Sequence, residues 1–228
     1  VEESHSDYGV VPVENSTEGM VGQTLDCFLE SPLQITGEIE LPVVHHLLAS
    51  ENTRIDTVQL ITGHEQSLGQ CRQWLDGHLP EIPREPVASN GEAARRASLD
   101  SNVAAIAGET AANLYGLVKI SEAIQDSSTN STRFLVLGRE SPPPSGHDKT
   151  SLLVSARNRP GALLGLLRPF EDSGISLTRI DSRPSKTEKW TYVFYIECEG
   201  HLDDEVIERV MTQISEHSVM LKRLGSYP

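Results

Sequence analysis

"TSLLVSARNRPGALLGLLRPFEDSG", residues 150–174, decides how the last third of the chain folds. "TSLLVSAR" is a short apolar run and reads as a strand. The period then changes. Asn158 stands where an N-cap belongs, Pro160 falls in the first turn, and Leu163, Leu164, Leu167 and Phe170 form an i, i+1, i+4, i+7 face ending before Gly174. Downstream, "ISLTRIDSRP" (175–184) and "WTYVFYIECEG" (190–200) are strand-like runs around a "SKTEK" turn. "DDEVIERVMTQISEH" (203–217) is a second amphipathic helix, and "VMLKRLGSYP" closes. The order βαββαβ is the split-βαβ, ferredoxin-like plan.

Upstream, "RESPPPSGHDKT" (139–150) cannot continue a helix or a central strand, because three successive prolines remove donors and fix φ. We therefore divide the chain into 1–140, a linker at 141–149, and 150–228. The first part alternates strands with helices. "YGVVPVENS", "LQITGEIELPVVHHLLAS", "TVQLITG" and "NVAAIAG" are extended; "HEQSLGQCRQWLDGH", "NGEAARRAS" and "ETAANLYG" are helical. Such alternation implies an α/β domain with a largely parallel sheet, whose ligands sit beyond the carboxyl ends of strands.

Composition narrows the function. The net charge of −14 is concentrated in residues 1–140, which carry 8 Lys/Arg against 21 Asp/Glu; 141–228 carry 11 against 12. An acidic chain repels a nucleic-acid backbone, and an anionic substrate then needs locally placed donors. No run of 18 apolar residues is present, so no membrane helix is expected. The chain opens on Val1 without a basic-then-apolar leader, and reads as a cytoplasmic fragment. Cys27, Cys71 and Cys198 are widely spaced, which suits small core hydrophobes in a reducing compartment better than a disulfide or zinc site.

Several polar loops carry two readings. In "ENSTEG" (14–19), Glu14, Asn15 and Ser16 present an acid, an amide and a hydroxyl to a ligand, or Ser16 or Thr17 caps a helix. In "GHEQSLGQC", His64 starts a helix that holds Gln70; no second histidine stands at metal-binding spacing, and His45 and His46 point apart on a strand. "ASNGEAA" is a helix cap at Ser89 or Asn90, or an anion site. "NSTRF" (130–134) is a strand entry, or a site the strand holds still. Pattern alone gives no decisive catalytic signature.

Taken together, "GVVPVENSTEG", "GHEQSLGQC", "NSTRF", "GALL" and "DSRP" resemble, in order, the motifs of prephenate dehydratases with a C-terminal ACT regulatory domain. The likeness is greatest to the dehydratase-plus-regulatory part of the bifunctional bacterial enzyme, without its chorismate mutase segment or the glycine-rich opening strand of the dehydratase domain. Gly63 where a serine is common, Glu65 after the motif histidine, and Asp181 for glutamate are departures. The resemblance implies a two-lobed dehydratase domain like a periplasmic binding protein, incomplete at its N-terminus, with a cleft site and a second lobe at about 40–115.

It further implies decarboxylating dehydration of prephenate to phenylpyruvate without a cofactor or metal, inhibited by L-phenylalanine in a homodimer or homotetramer. Thr132 would donate to the leaving hydroxyl, Arg133 would anchor or organise the site, and Phe134 would pack the motif. The substrate-binding set would be Glu14, Asn15, Ser16, Gln70, Ser89 and Asn130, with Glu14 orienting loop donors rather than meeting a dianion. The effector set would be Asn158, Gly161, Ala162, Leu163, Leu164, Asp181, Ser182, Arg183 and Pro184. The rival expectations are a non-catalytic phenylalanine-binding fragment and a two-lobed solute-binding protein.

Overall fold

A computed structural model of the chain describes residues 1–156, 159–185 and 192–228. Asn158 and most of the "SKTEK" turn lie outside the described residues. The chain opens with β1 (Gly9–Asn15), β2 (Gly19–Met20), α1 (Gly22–Cys27) and β3 (Gln34–Pro42). Next come β4 (His46–Ala49), β5 (Leu60–His64), α2 (Glu65–Gln70), α3 (Arg72–His78), β6 (Arg84–Val87), α4 (Asn90–Leu99), β7 (Val103–Ala107), α5 (Glu109–Tyr115) and β8 (Val118–Ser121). Then follow β9 (Ser131–Gly138), β10 (Lys149–Ser155), α6 (Ala162–Asp172), β11 (Leu177–Pro184), β12 (Tyr192–Glu199), α7 (Glu205–His217) and β13 (Met220–Tyr227). Two compact units result: residues 1–41 with 132–228, and residues 42–131.

In the first unit the C-terminal sheet has the order β11-β12-β10-β13 with every pair antiparallel, the ferredoxin-like arrangement read from the sequence. Alternation along each strand sorts its side chains between two layers. Leu152, Val154, Ile196 and Cys198 face α6 and α7, packing on Leu166, Phe170, Ile207, Val210, Met211 and Ile214. Leu153, Val193, Tyr195, Leu224 and Tyr227 face the other way and share one core with Val13, Ile35, Leu135 and Leu137. Those last four belong to a second sheet, of order β2-β1-β9-β3. Sheet therefore packs on sheet. Leu135 is fully buried, and truncating such a side chain to alanine costs about 2–5 kcal/mol. Gly225 marks the closest approach: at φ +138°, its missing Cβ would stand 2.3 Å from the Ile35 carbonyl oxygen.

Helix α6 departs from the expected pattern. It starts at Ala162 behind Gly161, whose φ of 78° is left-handed, so Pro160 precedes the helix. Leu163 and Leu164 are exposed at 37% and 55% and are not core residues; Leu166, Pro169 and Phe170 form the buried face. The core lies on one side of the axis, and two adjacent leucines in the first turn point away from it. Cys27 is also exposed, against expectation. Cys71 and Cys198 are buried, and burial pushes both thiols up to about 12.

The second unit's sheet has the order β6-β5-β7-β4-β8 and is mixed rather than largely parallel. β5 pairs in parallel with β6 and β7, whereas β4 pairs antiparallel with β7 and β8. The parallel pairs are those joined through helical crossovers, α2–α3 and α4. The unit also ends later than the expected residue 115. β8 returns to β4, Ile124 N donates to His45 O (2.8 Å), and Val43 N donates to Asn130 O (2.8 Å). The single helix expected over 64–78 breaks at buried Cys71, and α3 restarts with its Gln73 and Trp74 amides on the Asp126 carboxylate at 2.9 and 3.0 Å.

Candidate functional site

Strand β1 is regular to Pro12, and then a bulge inserts Val13. Pro12 lacks an N–H and so suits the position before the ladder is broken. Val13 turns into the core, its carbonyl accepts from Val21 N at 2.8 Å, and Thr24 Oγ1 donates to Pro12 O at 2.6 Å. Past the bulge the register has moved by one residue. Glu14 now lies opposite Arg133, and Asn15 opposite Thr132.

This register brings two of the motifs together. Asn15 Nδ2 donates to Thr132 Oγ1 across 3.0 Å. The threonine oxygen thus accepts, and its own proton is directed elsewhere. The other end of the amide holds the turn: Asn15 Oδ1 accepts from Thr17 N (3.0 Å) and Glu18 N (3.2 Å). "ENSTEG" is therefore the turn of a β1–β2 hairpin and not a helix cap, because an asparagine side chain supplies the acceptor that a cap would need. Ser16 is exposed in that turn.

Strand alternation sends Arg133 to the same side as Leu135 and Leu137, between the two sheets of the first unit. There it meets two carboxylates. Nε donates to Glu38 Oε2 (2.6 Å), and the guanidinium donates to Glu197 Oε2 (2.5 Å). Lys149 Nζ reaches the other Glu38 oxygen at 2.5 Å, so two cations balance two anions. Glu197 is 1% exposed and receives further bonds from Thr178 (2.6 Å) and Tyr227 (3.0 Å). Burial alone would raise its pKa; bonds from Thr178, Arg133 and Tyr227 overcome that and hold it below the usual carboxylate range. Ser151 bridges the Tyr195 and Tyr227 hydroxyls at 3.0 and 2.8 Å.

A second ion pair runs parallel to the first. Glu14 pairs with Arg179 of β11. Along the same strand, Arg183 Nε lies 3.3 Å from Asp26 of α1, over Gly22, where a Cβ would come within 2.7 Å of the guanidinium. The Asp181, Ser182, Arg183 and Pro184 segment thus lies on an edge strand whose arginines grip β1 and α1. Phe134 is half-buried opposite Pro12.

In the second unit, the loops following the parallel strands β5 and β6 are tied by Asn90. Its Oδ1 accepts from His64 N (2.9 Å), and its Nδ2 donates to Ser67 Oγ (2.8 Å). His64 caps α2 through Nδ1 to Gln66 N (3.3 Å), and Ser89 caps α4 by accepting from Glu92 N (3.1 Å). The cap reading of Ser89 and the helix-start reading of His64 both hold. The serine keeps its hydroxyl proton as a donor. Gln70 ends α2 with its Oε1 2.8 Å from His45 Nε2. Asn130 is buried. Among the described residues no group of three or more His, Cys, Asp or Glu is placed to hold a metal, and no helix is long and apolar enough to cross a membrane.

Sequence reasoning missed Asn90 as the organiser of these loops, and Glu38, Arg179 and Glu197 as partners of the motifs. The signal for Glu197 was available: it shares strand parity with Val193 and Tyr195, which puts a carboxylate on a buried face.

Residues 1–142 match the family model for prephenate dehydratase, and residues 150–216 match that for the ACT domain. Over 221 residues the chain is 56% identical to a bifunctional chorismate mutase/prephenate dehydratase of Stutzerimonas stutzeri, covering 97% of this chain and 60% of that protein. The chain therefore spans less than two thirds of that relative. Among solved structures, a prephenate dehydratase from Arthrobacter aurescens in complex with L-Phe superposes with a TM-score of 0.90 at 32% identity, over 100% of this chain and 76% of that one. A protein described as GqqA, a novel type of quorum quenching acylase, superposes equally well (TM-score 0.90) at 26% identity, over 100% and 84%.

Proposed function

Because this chain belongs to the prephenate dehydratase family and carries an ACT domain, we propose that it converts prephenate to phenylpyruvate, water and carbon dioxide under inhibition by L-phenylalanine. The observation that carries this reading is the Asn15–Thr132 hydrogen bond. Prephenate carries two carboxylates and a ring hydroxyl. Expulsion of that hydroxyl as water requires a proton, while the ring carboxylate leaves as CO2 and its electron pair completes the aromatic ring. A threonine whose oxygen is already engaged as an acceptor is left to act as a donor, and we assign Thr132 to the leaving hydroxyl. A threonine is a weak acid, so it serves as a positioned donor, a role worth about 10²–10⁴ in rate for general acid–base groups.

Asn15 holds Thr132 and the hairpin turn, and Phe134 packs the motif. Arg133 is engaged by two carboxylates, which favours an organising role over direct capture of the dianion. Likewise Glu14, paired with Arg179, orients its loop. We assign Ser16, Gln70, Ser89 and Asn130 to substrate oxygens; Ser89 brings a hydroxyl donor and Gln70 an amide. No cofactor or metal is needed for this chemistry.

For regulation, the exposed Leu163 and Leu164 suit the phenyl ring of the effector. Backbone at Gly161–Ala162 and at Asp181–Arg183, with Pro184 closing the strand, suits its charged ends, and Asn158 belongs to the same set. The effector site takes both halves from a homodimer or homotetramer. Glu14–Arg179 and Arg133–Glu197 support the idea that the state of the ACT sheet reaches both catalytic motifs. A cytoplasmic location fits this biosynthetic role.

The fold alone does not select the reaction, since a protein described as an acylase shares it at 26% identity; the 56% identity to a bifunctional chorismate mutase/prephenate dehydratase supports the dehydratase reading. The test is direct: incubate the chain with prephenate and follow phenylpyruvate with and without L-phenylalanine. Turnover suppressed by phenylalanine supports the reading. Phenylalanine binding without turnover would instead favour a purely regulatory role for this chain.

A further inference from the structure

Gln70 is held from two directions. Its backbone carbonyl accepts from Asp126 N at 2.8 Å, and its side-chain oxygen faces His45 Nε2 at 2.8 Å. His45 is itself fixed. It is 5% exposed, its amide donates to Gln125 Oε1 (3.0 Å), and its carbonyl accepts from Ile124 N (2.8 Å). The segment 124–126 therefore clamps the histidine and the glutamine together. His45 Nδ1 is buried and has no hydrogen-bond partner among the described residues.

The protonation of the ring follows. Burial lowers the His45 pKa, with the Gln70 hydrogen bond opposing it, so the ring is neutral and carries one proton. Gln70 presents an oxygen, which only accepts; the proton must therefore lie on Nε2. The flipped alternative would have the Gln70 NH2 donate to a bare Nε2 and would bury an N–H at Nδ1 without an acceptor, the rarer kind of orphan. With its oxygen occupied, Gln70 keeps only its NH2 group for other partners. That group donates and cannot accept, which suits a carboxylate.

We propose that His45 is a positioning residue for the dehydratase reaction: as the Nε2–H tautomer it pins the Gln70 oxygen and leaves the amide NH2 as the donor to a prephenate carboxylate. This rests on the assignment of Gln70 to substrate binding given above. Without His45 the amide is free to turn its oxygen toward the anion, and the site loses its discrimination between donor and acceptor.

Two measurements test it. The first is ¹⁵N NMR of the histidine-labelled full chain at neutral pH. The proposal expects a neutral His45 ring with its proton on Nε2; a proton on Nδ1 overturns it. This readout uses the unmutated protein and needs no turnover, so it decides the tautomer even if the dehydratase reading fails. The second is a double-mutant cycle on prephenate kinetics. His45→Leu should raise KM on the order of tenfold with little change in kcat, the loss expected for one hydrogen bond to a charged group. It should add nothing in a Gln70→Ala background, and His45→Gln, which can supply the same N–H, should recover most of the loss. Equal losses from His45→Leu with and without Gln70, or no recovery by His45→Gln, would mean a purely structural histidine.

Discussion

Arg133 donates to Glu197 across 2.5 Å, joining the strand that carries Thr132 to the central part of the ACT sheet. Arg133 is 11% exposed and Glu197 1%, and Glu38 completes the arginine's partners. Breaking a buried pair leaves a charge uncompensated, which outweighs the loss of the bond itself. Glu197→Gln should therefore destabilise the first unit by about 3 kcal/mol, the lower end for such losses because Glu38 remains. Urea unfolding checks this as a lower midpoint; an unchanged midpoint would mean that the pair contributes nothing net.

The same carboxylate sets a pH dependence. Its folded pKa lies below its unfolded value of about 4.3. The stabilisation is then complete above that value and is lost as pH falls through the depressed folded pKa. The groups facing Glu197 are Arg133, Thr178, Tyr227 and Tyr195, and none of them titrates in that window. Thermal unfolding between pH 3 and 6 should show a steeper acid limb for the unmodified chain than for Glu197→Gln.

Arg179 offers a test of the regulatory path. It holds Glu14 from β11, the strand that also bears Asp181–Arg183. Arg179→Met should leave phenylalanine binding detectable by calorimetry while saturating phenylalanine inhibits only partly. Couplings of this kind are typically worth about 5–150-fold. Full inhibition in the variant would exclude this route.

Gly225 is a steric test of sheet-on-sheet packing. An alanine there would place Cβ 2.3 Å from the Ile35 carbonyl at φ +138°, so β3 and β13 must separate. Overpacking of this kind costs about 1–3 kcal/mol, and a left-handed backbone adds strain. A lower Tm is expected for Gly225→Ala, and an unchanged Tm would show that the sheets are not packed this closely.

Legibility followed sequence pattern. The βαββαβ order was readable because strands 150–156 and 192–199 are short apolar runs, as strands buried on both faces are, whereas helix 205–217 keeps a period near 3.6. The register of β1 was not, since a bulge depends on which partner strand returns 117 residues later. Even so, Pro12 in an apolar run was a local sign of it. Charges at buried parity, Arg133 beside Leu135 and Glu197 beside Tyr195, hinted at a buried pair that no single strand could identify. The apolar face read at Leu163, Leu164, Leu167 and Phe170 could not by itself say which of its members are covered, because an apolar pair at helical spacing looks alike whether it meets the protein's own core or something outside it; Leu163 and Leu164 are the exposed members. The His45–Gln70 contact joins positions 25 apart through a fold that neither residue announces.

The central claim is that Thr132, oriented by Asn15, donates to the leaving hydroxyl. The most direct measurement is prephenate turnover by Thr132→Val, which keeps the side chain's shape and β-branching and removes the O–H. The account predicts a fall in kcat of about 10²-fold or more with an unchanged unfolding midpoint. Turnover within a few-fold of the unmodified chain would contradict it and move the proton donor elsewhere.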